Sequence, residues 1–175
     1  MPARTGQQYI DGLSKNPAEV WIRGEKVDDV TTHPAFQNGV RSLASLYDQQ
    51  HDSATKDAMT FKSPSSGEPV GLSFIIPKTI DDLVKRREMM TNWAWESCGM
   101  MARTPDFLNN AVSGWAGSSD YFSDNRPEFK DNVLRYHEHI RENDLTLTHT
   151  LVNLQRRRDS AIADNIEEQV ALTVV

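Results

Sequence analysis

Three stretches decide the fold: TIDDLVKRREMMTNWAWESC (residues 79–98), TPDFLNNAVSGWAGSSDYF (104–122) and RPEFKDNVLRYHEHI (126–140). Each opens with helix-start chemistry. Thr79 followed by Asp82 forms a capping box, while Pro105 and Pro127 stand where a first helical turn tolerates a missing N–H. Residues then recur at helical spacing. Leu83, Met90, Trp93, Ala94, Cys98 and Met101 fall near one face of the first helix. Leu108, Ala111, Val112, Trp115, Ser119 and Phe122 form the stripe of the second, and Phe129, Val133, Tyr136 and Ile140 that of the third. Short loops between them favour antiparallel neighbours, so a helical bundle segment is expected.

Toward the N-terminus, Thr5 and Gln8 form a second capping box, for a helix carrying Tyr9, Ile10 and Leu13. Residues 19–30 read as a hairpin: Val20 and Ile22 alternate with Trp21 and Arg23, and Gly24-Glu25 gives the turn. Thr32-His33-Pro34 is expected to open a helix whose stripe is Phe36, Val40, Leu43, Ala44 and Tyr47. Residues 59–77 are rich in turn chemistry (SPSSGEP, 63–69) and read as an extended loop or irregular hairpin. Beyond Asp144 the period becomes two. Leu145, Leu147, His149 and Leu151 point one way, as in a strand. Residues 153–169 are polar and ambiguous, and VALTVV (170–175) reads as the start of a further strand. The fold class is mainly α with short hairpins.

Composition narrows the function. A net charge of −6 over 175 residues argues against a nucleic-acid backbone as partner. The basic triplet Arg156–Arg158 is followed by Asp159, Asp164, Glu167 and Glu168, and reads as solvated surface. One cysteine, Cys98, excludes an internal disulfide, and it follows helical periodicity as a core residue would. No run approaches the roughly 20 apolar residues of a membrane span, and the N-terminus has no signal-peptide core, so a cytoplasmic protein is the simplest expectation.

Two positions invite chemistry. Arg103 lies at the break between two helices, where its guanidinium and the free N–H groups of the next helix start could meet one anion; a surface arginine is the plainer alternative. His149 occupies an apolar place in the Leu145–Leu151 alternation, so it is either a hydrogen-bonded core histidine or part of a site. His137 and His139, two apart on one helix, cannot share a metal. His33 reads as a helix-start residue and His51 as a surface one. The sequence contains no GxGxxG, Walker loop, GxSxG or HExxH.

Several stretches, in order, resemble the oxygenase component of the 4-hydroxyphenylacetate 3-monooxygenase family. They are RTGQQYID (4–11), VWIRGE (20–25), DVTTHPAF (29–36), LYD (46–48), GMMARTPDFLN (99–109) and RENDLTLTHTL (141–151). The resemblance implies an acyl-CoA dehydrogenase-like fold, of which this chain would be the helical N-terminal domain (1–152) followed by a linker and the first strand of a central β domain (153–175). It implies a flavoprotein monooxygenase of aromatic catabolism. Reduced FAD from a separate NAD(P)H:flavin reductase would react with O2 to a C4a-hydroperoxyflavin, which hydroxylates a phenol ortho to its hydroxyl. The family's arginine and histidine map onto Arg103 and His149. By the same resemblance Arg103, Thr104, Pro105, Asp106, Phe107 and His149 would bind substrate, while His149, Thr150, Leu151, Gln155 and Arg158 would approach the flavin.

Departures from the family pattern are specific. Phe107 replaces a tyrosine, Ala102 a glycine, and Asn153-Leu154-Gln155 stands where the family has NPQ. The resemblance also implies an oligomer, or a complementing chain that supplies C-terminal domains. Two alternatives stay open: a non-catalytic remnant that binds no flavin on its own, and a relative of the 4-hydroxybutyryl-CoA dehydratase branch. The latter needs iron–sulfur cysteines that Cys98 alone does not supply.

Overall fold

The computed structural model describes residues 3–99 and 105–147, with the backbone alone for Pro105 and Asp106. Helix α1 (Gly6–Lys15) leads into hairpin β1 (Val20–Ile22) and β2 (Glu25–Val27), then α2 (Gln37–Asp48) and a single turn, α3 (Lys56–Met59). A second hairpin, β3 (Thr60–Lys62) and β4 (Pro69–Gly71), runs into a 3₁₀ turn at Leu72–Phe74. Four helices follow: α4 (Ile80–Glu96), α5 (Pro105–Gly117), α6 (Ser119–Ser123) and α7 (Pro127–Glu142). The described chain is mainly helical, as its periodicity indicates.

Both capping boxes form. Thr5 Oγ1 accepts the Gln8 N–H at 3.1 Å and Gln8 Oε1 accepts the Thr5 N–H at 2.9 Å. Thr79 and Asp82 exchange the equivalent bonds at the head of α4. The first hairpin pairs Val20 with Val27 and Ile22 with Glu25, so its turn is Arg23-Gly24, one residue earlier than the sequence suggested. Both turn residues have positive φ, 52° and 85°, as a two-residue loop that follows strand twist requires.

Helix α2 starts at Gln37, three residues beyond Pro34. Residues 29–36 form successive turns in which Asp29 Oδ1 accepts the Thr31 N–H and His33 Nδ1 accepts the Ala35 N–H. These side-chain bonds satisfy backbone donors that an earlier helix start would otherwise leave unpaired. The α2 stripe then buries Val40, Ala44 and Tyr47 with Tyr9 of α1. Leu46 points to the other side, into a cluster with Met59, Leu72, Met89 and Trp93.

The segment at 59–77 is the centre of the core. The hairpin is irregular as expected, but Met59, Val70, Leu72 and Phe74 are each at most 2% exposed. Phe74 joins a further cluster with Leu108 and Val112 of α5, Ile140 of α7 and Leu147. The 3₁₀ turn thus bridges two clusters, with α4 on one side and α5 on the other.

Two stripes are rotated from their expected faces. In α4 the buried residues are Arg86, Met89 and Trp93, whereas Leu83 is 55% exposed. The 3₁₀ turn and Leu46 beneath α4 select the face that carries Met89 and Trp93, and Ile80, Leu83, Val84 and Trp95 are left outside. In α5 the buried face is Leu108, Asn109, Val112, Ser113 and Ala116, with Trp115 largely outside. That helix stops at Gly117 and α6 is separate, so Ser119 and Phe122 do not extend its stripe. Cys98 is exposed, correcting its assignment to the core. It holds the left-handed position (φ 52°) of a Schellman motif: Gly99 N–H bonds Ala94 O and Cys98 N–H bonds Trp95 O. The α7 stripe is as expected, with Ile140 fully buried and Phe129, Val133 and Tyr136 partly so.

Close packing of α1 on α2 rests on Gly6. A Cβ there would lie 2.4 Å from Ala44 O and 2.7 Å from Asp48 Oδ2, and Asp48 Oδ1 accepts the Gly6 N–H at 2.7 Å. Gly6→Ala should therefore lower stability by about 1–3 kcal/mol, the cost of overpacking. Gly39→Ala, within α2 and with nothing within 4 Å, should raise it by about 0.5–1 kcal/mol. Urea midpoints of the two variants check both signs.

Candidate functional site

The chain leaves α7 through a second Schellman motif. Asp144 takes the left-handed position with φ 47°, its N–H bonding Arg141 O, and Leu145 N–H bonds Ile140 O. A non-glycine residue there costs about 1–2 kcal/mol, and Asp144 is held by contacts that exceed it. Arg4 donates Nε and Nη2 to the Asp144 carbonyl at 2.9 and 2.5 Å, and Nη2 to Tyr47 OH at 3.0 Å. Each charged hydrogen bond contributes about 1.5–3 kcal/mol. Tyr47 OH also reaches the same carbonyl at 3.2 Å and bonds Thr146 Oγ1.

The Asp144 carboxylate faces inward. Its Oδ2 accepts the Arg4 backbone N–H at 2.9 Å and Gln50 Nε2 at 2.8 Å. Burial pushes its pKa above the ordinary carboxylate range, and the bonds from Gln50 and Arg4, with the charges of Arg4 and His51, only partly offset this. Burial likewise raises the Tyr47 phenol, with the Asp144 charge adding to it. Gly71 completes the enclosure, since a Cβ there would lie 2.8 Å from Gln50 Oε1.

A second buried polar cluster joins α5 to α7. His137, 2% exposed, places Nε2 at 2.9 Å from Phe74 O and 3.2 Å from Ser113 Oγ. A carbonyl can only accept, so Nε2 carries the proton and cannot serve as a base toward Ser113. Ser113 donates to Asn109 O at 2.7 Å. The pair is a satisfied structural contact, not a nucleophile. Burial depresses the His137 pKa, against a smaller opposing pull from the Phe74 carbonyl. His139 is exposed on the opposite side of α7, so the two histidines do diverge.

Nearby, Arg141 Nη2 donates to Ser65 Oγ and its Nε to Glu142 Oε1, each at 2.8 Å, while Ser63 and Ser66 donate to Glu142. The turn at 63–66 is thereby fastened to the end of α7. Burial acts to raise the Glu142 pKa, but Ser63, Ser66 and Arg141 overcome it and hold the carboxyl below its usual range.

The residues singled out from the sequence divide unevenly. Phe107 lies in the first turn of α5 and is 53% exposed. Pro105 and Asp106 begin that helix. Arg103, Thr104, His149, Thr150, Leu151, Gln155 and Arg158 lie outside the described residues, as do residues 153–175 and Arg156–Arg158 as a whole. Of the alternation at 145–151, the described part holds: Leu145 and Leu147 pack inward with Phe74 and Ile140, while Thr146 turns to Tyr47. An open groove of about 640 Å³ is lined by Phe61, Leu72 and Ile75 with Asp82, Lys85 and Glu88, and does not include Phe107. Among the described residues there is no cluster of three metal-ligating side chains, and no helix is long and apolar enough to cross a membrane.

The fold defines a class. A likeness to an oxygen-tolerant 4-hydroxybutyryl-CoA dehydratase from N. maritimus (TM-score 0.74, 16% identity, 91% of this chain and 31% of that one) shows an acyl-CoA dehydrogenase-like fold. A sharper likeness is to a crystal structure of the oxygenase component of 4-hydroxyphenylacetate 3-monooxygenase complexed with FAD and 4-hydroxyphenylacetate. Its TM-score is 0.83 at 43% identity, covering 93% of this chain and 33% of that one. The oxygenase component of 4-hydroxyphenylacetate 3-monooxygenase from Geobacillus sp. (strain PA-9) is 46% identical over 175 residues, all of this chain and 35% of that protein. The family model for the 4-hydroxyphenylacetate 3-hydroxylase N terminal matches residues 5–175, and the chain belongs to that family. It spans about a third of the length of these relatives.

The polar core residues were the harder ones to foresee. Asn109 and Ser113 each follow an apolar stripe residue by one position, the usual signature of a stripe edge. The signal available for Asp144 was its place directly after a helix end at Asn143, where Asn and Asp tolerate a left-handed turn.

Because His137 is buried uncharged, the unfolded chain binds a proton more readily than the folded one between the depressed pKa and 6.5. Its contribution to stability is present above 6.5 and lost as pH falls through the folded pKa. The raised pKa of Asp144 acts oppositely, stabilising fully below 3.8 and fading as pH rises. His137→Gln retains an N–H donor without titrating. It should flatten the decline in stability between about pH 7 and 5, measured by urea titration at each pH.

Proposed function

We propose that this chain is the N-terminal part of a two-component, FADH2-dependent monooxygenase that hydroxylates phenols such as 4-hydroxyphenylacetate ortho to the hydroxyl. One observation carries the reading: the chain matches, along 93% of its length, an oxygenase component whose crystal structure holds both FAD and the phenol. The proposed division is a helical domain at 1–152 and the linker and first strand of a β domain at 153–175. A separate NAD(P)H:flavin reductase would supply reduced flavin, and O2 the transferred atom. The remaining domains would come from further chain or a complementing polypeptide, within a homo-oligomer.

The donor set suits these ligands. Arg103 and Arg158 are cations, His149 is a base near neutrality, Gln155 both donates and accepts, and exposed Phe107 offers an uncovered ring at the head of α5. Reduced FAD, when bound, supplies the oxygen-activating chemistry. The phenol, with a pKa of about 10, becomes a better nucleophile at its ortho carbon when His149 takes its proton. Arg103 holds the resulting phenolate oxygen and balances its charge. Thr104, Pro105, Asp106 and Phe107 line the substrate side; Thr150, Leu151, Gln155 and Arg158, with His149, approach the flavin side. Phe107 contributes surface without the hydroxyl of the tyrosine that the family places there.

The test is hydroxylation of 4-hydroxyphenylacetate by this chain joined to the C-terminal two thirds of its Geobacillus relative, supplied with reduced FAD and O2. Product is expected. Arg103→Ala and His149→Ala should each lower its yield by about 10²–10⁴-fold while oxidation of the flavin by O2 continues. Undiminished product in either variant rejects the role given to that residue.

A further inference from the structure

Between α2, α4, α5 and the end of α7 lies a cavity of about 10 Å³, walled by Leu46 and Trp93 and by the polar residues Gln50, Ser73, Asn109 and Asp144. All six are buried. One water needs about 10–15 Å³ and two to four polar partners. The polar groups here are short of partners. Asn109 donates Nδ2 to Ser73 Oγ at 2.9 Å, and its Oδ1 is buried with no partner. The Ser73 hydroxyl accepts that bond, and its own O–H has no acceptor among the described residues. Asp144 Oδ2 receives two N–H groups, and the carboxylate borders the same cavity. Exchanging the oxygen and nitrogen of the Asn109 amide gives the Ser73 O–H an acceptor but does not cure the deficit. It turns an unpartnered acceptor into an unpartnered donor.

The geometry points to a water molecule bound in this cavity, accepting the Ser73 O–H and donating to Asn109 and the Asp144 carboxylate. One water supplies the donor that Asn109 Oδ1 lacks and an acceptor for the Ser73 O–H, and adds a donor to the Asp144 carboxylate. A hard cation takes about six oxygens, more than the cavity presents, and an apolar occupant would leave the Asn109 oxygen unmet. The water joins α5 to the chain leaving α7. Those elements adjoin Arg103 and His149 in sequence, the residues to which the proposed function assigns the chemistry.

The test is a crystal structure of the whole chain at a resolution that places solvent, paired with oxygen-17 relaxation dispersion, which detects slowly exchanging internal water. A solvent peak within hydrogen-bond distance of Asn109 and Asp144, and loss of one long-lived water in Asn109→Leu, are expected. An empty cavity, an Asn109 amide turned wholly onto protein partners, or an unchanged dispersion in a folded Asn109→Leu variant would overturn it. Neither readout uses flavin or substrate, so the bound water and the hydroxylase reading can fail separately.

Discussion

The backbone carbonyl of Asp144 is the point where the two ends of the described chain are tied together. Arg4 reaches it with two guanidinium N–H groups, and Tyr47 reaches it with its hydroxyl. The Arg4 guanidinium also stands 5.0 Å from the Tyr47 ring centroid, and Tyr9 stacks on Tyr47 at 5.1 Å. One oxygen therefore fastens the start of α1, the C-terminal turn of α2 and the end of α7. The left-handed turn at Asp144 sets where the following residues go: Leu145 and Leu147 enter the Phe74 cluster and Thr146 returns to Tyr47.

A polar seam runs inward from this tie. Gln50 links the Asp144 carboxylate to α2, Asn109 links Ser73 to α5, and His137 links Phe74 O and Ser113 to α7. Buried polar groups of this kind add less to stability than apolar packing of equal volume, but an unpartnered member is costly, so each fixes a specific arrangement. Its bonds set how α5, α7 and the 3₁₀ turn meet.

Much of the helical pattern was legible in the residues because the deciding forces are local. Capping at Thr5 and Thr79 depends on side chains three residues apart, and the α7 stripe repeats cleanly through Phe129, Val133, Tyr136 and Ile140. Misreadings arose where tertiary contacts choose between two apolar faces. On α4 both Leu83 and Met89 are apolar, and the position of Leu46 and Leu72 decides that Met89 goes inside. The turn-rich composition of 63–69 likewise hid the burial of Val70, Leu72 and Phe74, which depends on helices distant in sequence. For the site, ordered resemblance located the segments around Arg103 and His149. Unaided, the residues marked Arg103 by its place at a helix break and His149 by its place in an apolar alternation, without assigning chemistry, because a catalytic role depends on a ligand that no spacing rule contains.

The most direct test of this tie is a double-mutant cycle between Arg4→Met and Tyr47→Phe, read by urea unfolding. Tyr47→Phe keeps the ring stacked on Tyr9 and removes only the hydroxyl. If Arg4, Tyr47 and the Asp144 carbonyl act as one unit, the double variant should depart from additivity by more than about 0.5 kcal/mol. Additive losses would show the two side chains acting independently and would contradict the central place given to Asp144.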